Sequence, residues 1–96
     1  MTRLVLASTA ENADAILDGS RTTDRRTHPP KRLPARAYLA VPKVGVVGEC
    51  QLGVPEHKTG DGWSIPVTAP KRYARPRSLE RFGLDKTPRS FRYVDA

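Results

Sequence analysis

Apolar and polar positions along the chain alternate in short runs, a pattern that predicts strands. Runs in which apolar or β-favouring residues recur, bounded by glycine, proline or polar clusters, are typical of strands. The predicted strands are Arg3–Ala7, Thr22–Arg26, Arg36–Val41, Val44–Val54, Trp63–Val67 and Ser90–Val94. Because only Pro42 and Lys43 separate the third strand from the fourth, we expect these two to form a hairpin through the core.

One main helix is predicted between the first two strands. Ser8 and Glu11 have the spacing of a capping box, so the helix should begin near Thr9. Apolar residues then recur at helical spacing, and a glycine that can end the helix follows them. These residues are Ala13, Ile16, Leu17 and Gly19. A second, shorter helical turn is predicted over Ser78–Phe82, with Ser78 as its cap.

Proline and glycine mark the remaining connections. His28–Pro34 contains three prolines and is predicted as an exposed loop, and Lys58–Gly62 is predicted as a turn. The 96 residues are too few for two hydrophobic cores, so we predict a single domain over residues 1–96. The predicted fold class is α+β: a small mixed β-barrel of about six short strands with one main helix and one short helical turn.

The net charge of +7 is concentrated in two segments. Six cations between Arg21 and Arg36 face only Asp24, and eight cations between Lys71 and Arg92 face only two acidic residues. Arginine outnumbers lysine 12 to 5, and the planar guanidinium suits bidentate phosphate contacts. This distribution favours a phosphate or nucleic-acid ligand, while a solvated basic surface remains the alternative.

Other classes are not favoured by the composition. No apolar run approaches the roughly 20 residues that span a bilayer, so we predict no membrane segment. The single Cys50 cannot form an internal disulfide, and we expect a cytoplasmic location. His28, His57 and Cys50 lack the paired spacing of a zinc site, so we predict no metal and no cofactor.

The segment of residues 16–26, ILDGSRTTDRR, combines a helix end, a glycine turn and a polar strand. It resembles the signature of ASCH domains in the PUA-like superfamily. Four positions coincide with that signature, and an arginine stands where the family has lysine. The four are Gly19, Thr22, Asp24 and Arg26, and the arginine is Arg21. Three later segments agree in order, so the resemblance spans nearly the whole chain. They are Val46–Glu49, a short helix near Leu79–Gly83 and the closing strand Pro88–Val94.

The resemblance implies a small β-barrel whose turn lies at the mouth of a cleft, in a superfamily that mainly binds RNA. We therefore predict a site for nucleic acid or a nucleotide in two parts of the chain. Its candidate residues are Arg21, Thr22, Asp24, Arg25 and Arg26 from the turn, and Lys71, Arg72, Tyr73 and Arg75 from the second basic segment.

Alternatives stay open for three of these features. Asp24 and Arg26, which share one face of the predicted strand, could contact a ligand or form an ion pair that braces the turn. Tyr73 could stack a base or pack onto the barrel. The single Trp63 follows a Gly-Asp-Gly turn and could line a ligand cleft or pack in the core, and we expect packing.

Some members of the superfamily are amidohydrolases that have a lysine in the turn and a threonine three residues later. Here Arg21 and Asp24 occupy those positions, and an arginine stays protonated, so it cannot act as base or nucleophile. If the protein is an enzyme, Asp24 would activate water and Thr22 would help to polarise a carbonyl. We expect a non-catalytic domain that binds RNA or single-stranded nucleic acid. The alternatives are a nucleoside-modifying hydrolase or nuclease of the ASCH type, and a phage or mobile-element factor that binds a host protein.

Overall fold

Strands dominate the structure, a computed structural model that describes residues 2–60 and 62–95, with the backbone alone for 57–59. The elements in chain order are β1 Arg3–Ala7, α1 Ala10–Leu17, β2 Thr23–Arg26, β3 Ala35–Val41, β4 Gly45–Leu52, β5 His57–Thr59, β6 Gly62–Arg77, a 3-10 helix Leu79–Phe82 and β7 Phe91–Val94. No helix in the described ranges is long and apolar enough to cross a membrane.

The strands form one mixed sheet in the order β2-β6-β4-β3-β1-β7, and β5 pairs with β6. β1 runs parallel to β3, and the other pairs are antiparallel. The sheet curves into a half-barrel whose two edge strands are β2 and β7. The predicted α+β class is therefore confirmed, as is the predicted hairpin, which β3 and β4 form.

Each face of the sheet carries its own hydrophobic cluster. α1 covers one face through Ala13, Ile16 and Leu17, which pack with Leu4 and Leu6 of β1. The 3-10 helix covers the other face. The cluster there contains Val5, Tyr38, Ala40, Val46, Tyr73, Phe82 and Leu84. Alternate residues of β1 and β3 point to opposite clusters, because successive side chains of a strand lie on opposite faces.

The start of α1 differs from the predicted capping box by one residue. The N-cap is Thr9, whose Oγ1 accepts a hydrogen bond from the backbone N–H of Asn12 at 3.1 Å. Ser8 instead accepts a hydrogen bond from Asn12 Nδ2 at 3.0 Å. The helix end is as predicted, since Gly19 follows it in the left-handed region with φ of +86°.

β6 is much longer than the strand predicted at Trp63–Val67. It continues through Pro70 and Pro76 to Arg77, and from Val67 onward it pairs with β4. Beyond Val67 all its side chains except that of Tyr73 are exposed, so no apolar alternation signals the strand in the sequence. Register shifts against β4 accommodate the prolines, which a regular central strand would exclude.

The predicted turn at Lys58–Gly62 is partly a strand. The backbone of β5 begins at His57 and pairs with the start of β6, which Gly62 opens. Asp61 of that predicted turn lies outside the described residues.

Candidate functional site

Arg26 joins the two edges of the half-barrel. Its Nη1 donates to the carbonyl oxygen of Ser90 at 3.2 Å and to Ser90 Oγ at 2.9 Å. Its Nη2 donates to the carbonyl oxygen of Ala7, at the end of β1, at 2.8 Å. Because Ser90 directly precedes β7, these hydrogen bonds close the seam between β2 and the opposite edge of the sheet. We call this arrangement the Arg26 clasp.

Asp24 completes the Arg26 clasp. Its Oδ2 accepts a hydrogen bond from Arg26 Nε at 2.7 Å, and 5% of its side chain is exposed against 14% for Arg26. Thr23 and Arg25 alternate with this pair and are exposed, which confirms the alternation predicted for β2. Of the two roles that the sequence leaves open for Asp24 and Arg26, the structure shows the ion pair that braces the turn.

Arg21 approaches the same region from the turn after α1. Its Nη1 donates to Asn12 Oδ1 at 2.7 Å, and Asn12 in turn donates to Ser8. The backbone N–H of Arg21 donates to the carbonyl oxygen of Ala15 at 2.9 Å. This hydrogen bond fixes the turn after Gly19 and directs Arg21 back toward the N-terminal end of α1.

A cleft of about 290 Å³ lies between the N-terminal end of α1 and β2. Its lining combines three guanidinium groups and one carboxylate with the polar groups at the start of the helix. The lining residues are Ala7, Ser8, Thr9, Asn12, Arg21, Asp24, Arg25 and Arg26. The N-terminal end of a helix adds a partial positive charge. This arginine cleft therefore suits an anion such as a phosphate.

Four of the five turn residues predicted for the site line the arginine cleft. Thr22 is not among the described residues that do so. It is exposed just before β2, and its carbonyl oxygen accepts a hydrogen bond from the backbone N–H of Val67 at 2.8 Å. Thr22 thus helps to hold β2 against β6. A carbonyl-polarising role for its hydroxyl gains no support from this position.

The second basic segment lies on β6 and contacts α1. Arg72 Nη1 donates to Asp14 Oδ1 of α1 at 3.0 Å, and both side chains are largely exposed. Lys71 and Arg75 are exposed on the same strand, β6. None of these three lines the arginine cleft in the part of the chain that the structure describes. The arginine cleft is therefore lined by residues of the first basic segment, while Arg72 of the second contacts α1, the helix that borders the cleft.

Tyr73 packs in the core, so it is not an exposed platform for a base. It is 7% exposed, and the guanidinium carbon of Arg77 lies 3.8 Å from the centre of its ring. Its hydroxyl donates to Glu49 Oε1 at 2.9 Å, and Arg36 Nη1 donates to Glu49 Oε2. Burial raises the pKa of Tyr73, and the hydrogen bond to the Glu49 carboxylate raises it further. Of the two roles left open for Tyr73, the structure shows packing.

Thr9 was predicted as the start of the helix but not as a residue of the site, and it lines the arginine cleft. Three further polar residues of the site were also not predicted. Ser8 and Asn12 line the arginine cleft, and Ser90 is held by the Arg26 clasp. The first two lie four residues apart, one turn of helix, but nothing in that spacing indicates a ligand. Ser90 belongs to the closing segment of the ASCH resemblance, which was the one signal available for it.

The buried Cys50 has a thiol of low reactivity. Burial raises the pKa of its thiol to about 12, so the thiol is protonated at neutral pH and is a poor nucleophile or metal ligand. Among the side chains that the structure describes, no three from His, Cys, Asp or Glu come together.

The half-barrel, with α1 on one face and a 3-10 helix on the other, is the fold of ASCH domains. A tyrosine-to-phenylalanine variant of the ASCH protein from Zymomonas mobilis superposes with a TM-score of 0.81 at 16% sequence identity, over 99% of this chain and 91% of that chain. Another crystal structure of ASCH from Zymomonas mobilis superposes with a TM-score of 0.74 at 16% identity, over 97% of this chain and 87% of that chain. No family model and no curated protein matches the sequence significantly. The predicted resemblance is thus confirmed for the fold.

Proposed function

We propose that this protein binds single-stranded RNA through the arginine cleft and does not catalyse a reaction on it. The observation that carries the proposal is the convergence of Arg21, Arg25 and Arg26 at the N-terminal end of α1. Fixed positive groups of this kind favour phosphate oxygens. The choice of RNA rests on the ASCH resemblance.

The three arginines do not contribute equally. Arg26 donates from all three of its guanidinium nitrogens to protein groups, so its role is to shape the cleft. Arg21 is exposed, and it is the cation that we expect to meet the phosphate, while Arg25 also lines the cleft. A guanidinium has five N–H donors, and Asn12 accepts a hydrogen bond from Nη1 of Arg21. The remaining N–H groups of Arg21 can donate to phosphate oxygens.

The same contacts argue against hydrolysis. A general base must reach the proton that it removes, but Asp24 Oδ2 already accepts from Arg26 Nε at 2.7 Å. Arg21 remains protonated and cannot replace a catalytic lysine. The residues of the cleft are therefore suited to recognition.

The test is a titration of a labelled uridine-rich RNA of about eight nucleotides, within the range of single-strand binding sites. Affinity should fall linearly on a log-log plot between about 50 and 200 mM salt, with a slope of roughly −0.7 for each phosphate contacted. We expect Arg21→Gln to weaken binding and to reduce the slope by about 0.7.

Arg81→Gln is the matched control, because it removes an exposed arginine of the 3-10 helix that does not line the arginine cleft. Its affinity and slope should stay close to those of the wild type. Binding that is absent or independent of salt would contradict the proposal. Equal losses in the two variants would show that general charge, and not the cleft, holds the RNA.

A further inference from the structure

A second, larger hollow lies beside the loop that follows β2. Its volume is about 780 Å³, within the range of roughly 300–1,000 Å³ that is typical of small-molecule sites. Its walls are mainly apolar and include Pro29, Pro30 and Pro55, with the indole of Trp63 on one side and His28 and Lys31 at the loop. We call it the Trp63 cleft. An apolar hollow with a few polar groups suits a flat, partly polar ring.

Trp63 stands at the end of a row of inward-facing residues on β6. Ile65 and Val67, two and four positions further along, are buried in the cluster that α1 covers. Trp63 shares their face by alternation, but it is only half-buried and belongs to neither buried cluster of the described residues. The expectation that Trp63 packs in the core is therefore not met, and its ring lines a hollow.

The Trp63 cleft is next to the Arg26 clasp. Trp63 lies directly opposite Arg26 in the antiparallel pairing of β2 with β6, so the two side chains are neighbours on one face. A third hollow, of about 320 Å³, has lining residues in common with both clefts. It shares Arg25 and Arg26 with the arginine cleft, and Thr27 and His28 with the Trp63 cleft. The lining residues of the three hollows thus follow one another along β2 and the loop after it.

We propose that the Trp63 cleft holds a base of the bound strand, stacked on the indole, while the arginine cleft holds a phosphate of the same strand. This inference rests on the proposed function and names the part of the ligand that the second hollow takes. A basic groove that leads to an aromatic ring is how proteins bind single strands without reading their sequence, since every base has a π-face.

The sequence contains one tryptophan, so tryptophan fluorescence, excited at a wavelength where the three tyrosines absorb little, reports on Trp63 alone. We expect the uridine-rich RNA to quench this fluorescence as it binds. An abasic ribose-phosphate strand of the same length should bind more weakly and leave the fluorescence nearly unchanged.

Two variants separate stacking from folding. Trp63→Leu keeps an apolar side chain but removes the π-face, and it should weaken RNA binding by about 5- to 150-fold, the range for one stacked base. Its salt slope should match that of the wild type, because no phosphate contact is lost. Trp63→Phe keeps a ring and should retain most of the affinity. Circular dichroism during urea unfolding shows whether each variant is folded.

The outcomes distinguish the two proposals. If binding is salt-dependent and sensitive to Arg21→Gln, yet the indole is not quenched and Trp63→Leu binds like the wild type, the Trp63 inference is wrong and the arginine cleft stands. Equal quenching by the abasic strand would also overturn the stacking. If no salt-dependent binding occurs, both proposals fail.

Discussion

At the scale of single residues, Arg26 shows where sequence reasoning succeeds and where it ends. The two-residue spacing from Asp24 predicts that both side chains share one face of a strand, and they do. The other partners of Arg26 are Ala7 and Ser90, which are 19 and 64 residues away along the chain. No local pattern connects such distant groups. The Arg26 clasp therefore follows from the sheet topology, which brings β2 near the ends of β1 and β7.

The Arg26→Gln variant should be strongly destabilised. It removes the charged partner of Asp24, whose side chain is only 5% exposed. Breaking a buried pair from one side costs about 3–5 kcal/mol, and we expect roughly 3 kcal/mol here because Arg26 is partly exposed. The urea midpoint of unfolding measures this loss. Arg92→Gln, at an exposed position of β7, is the control and should change stability by about 0.5 kcal/mol or less. Similar midpoints for the two variants would show that the clasp does not hold the seam.

At the scale of elements, the docking of α1 depends on a glycine of β4. The sequence pattern predicts a strand over Val44–Val54, but it does not show which atoms the glycines of this strand contact. In the structure, a Cβ on Gly48 would lie 2.6 Å from the carbonyl oxygen of Lys71 and 2.7 Å from Leu17 Cδ2. The missing side chain therefore lets α1 rest directly on the β4–β6 pair. Such a close approach requires the register of β4 with β6, which a single sequence does not specify.

Gly48→Ala should therefore destabilise the protein by about 1–3 kcal/mol, the usual cost of overpacking a core. The new methyl group would collide with a backbone oxygen as well as with Leu17, so a rotamer change of Leu17 alone would not relieve it. Gly53→Ala, just after the end of β4, is the control, because the atom nearest to its Cβ is Pro66 Cβ at 3.4 Å. Thermal unfolding of both variants measures the difference. An unchanged midpoint for Gly48→Ala would mean that α1 can shift away at little cost.

At the scale of the whole molecule, the curved sheet distributes the charge in a way that composition cannot predict. The two basic segments are visible in the sequence, which predicts that both contribute to one site for nucleic acid or a nucleotide. The long strand β6 instead places Arg72 beside Asp14 of α1 and Tyr73 on the opposite face. Side-chain alternation and a register with two shifts produce that separation. The arginine cleft thus depends on the turn after α1 and on β2, and its lining contains no β6 cation among the described residues.

The pH dependence of stability should reveal the Glu49 network, which links β3, β4 and β6. Burial of Glu49 opposes its ionisation, but the hydrogen bonds from Tyr73 and Arg36 outweigh this effect, so the pKa of Glu49 lies below its ordinary value of 4.5. A carboxyl group with a lowered pKa stabilises the folded state above its unfolded pKa. That contribution is lost as the pH falls from about 4.5 through the folded pKa.

Glu49→Gln should therefore be less stable than the wild type near neutral pH, and the difference should shrink as the pH falls below about 4.5. Acid also adds positive charge to a chain whose net charge is already +7, so both proteins should lose stability through repulsion. The comparison between them isolates the Glu49 contribution from that shared loss. Urea midpoints at a series of pH values measure it, with Glu80→Gln, which removes an exposed carboxylate of the 3-10 helix, as the control. A difference between wild type and Glu49→Gln that stays constant from neutral to acid pH would show that the network stabilises the sheet by packing and not through the charge of Glu49.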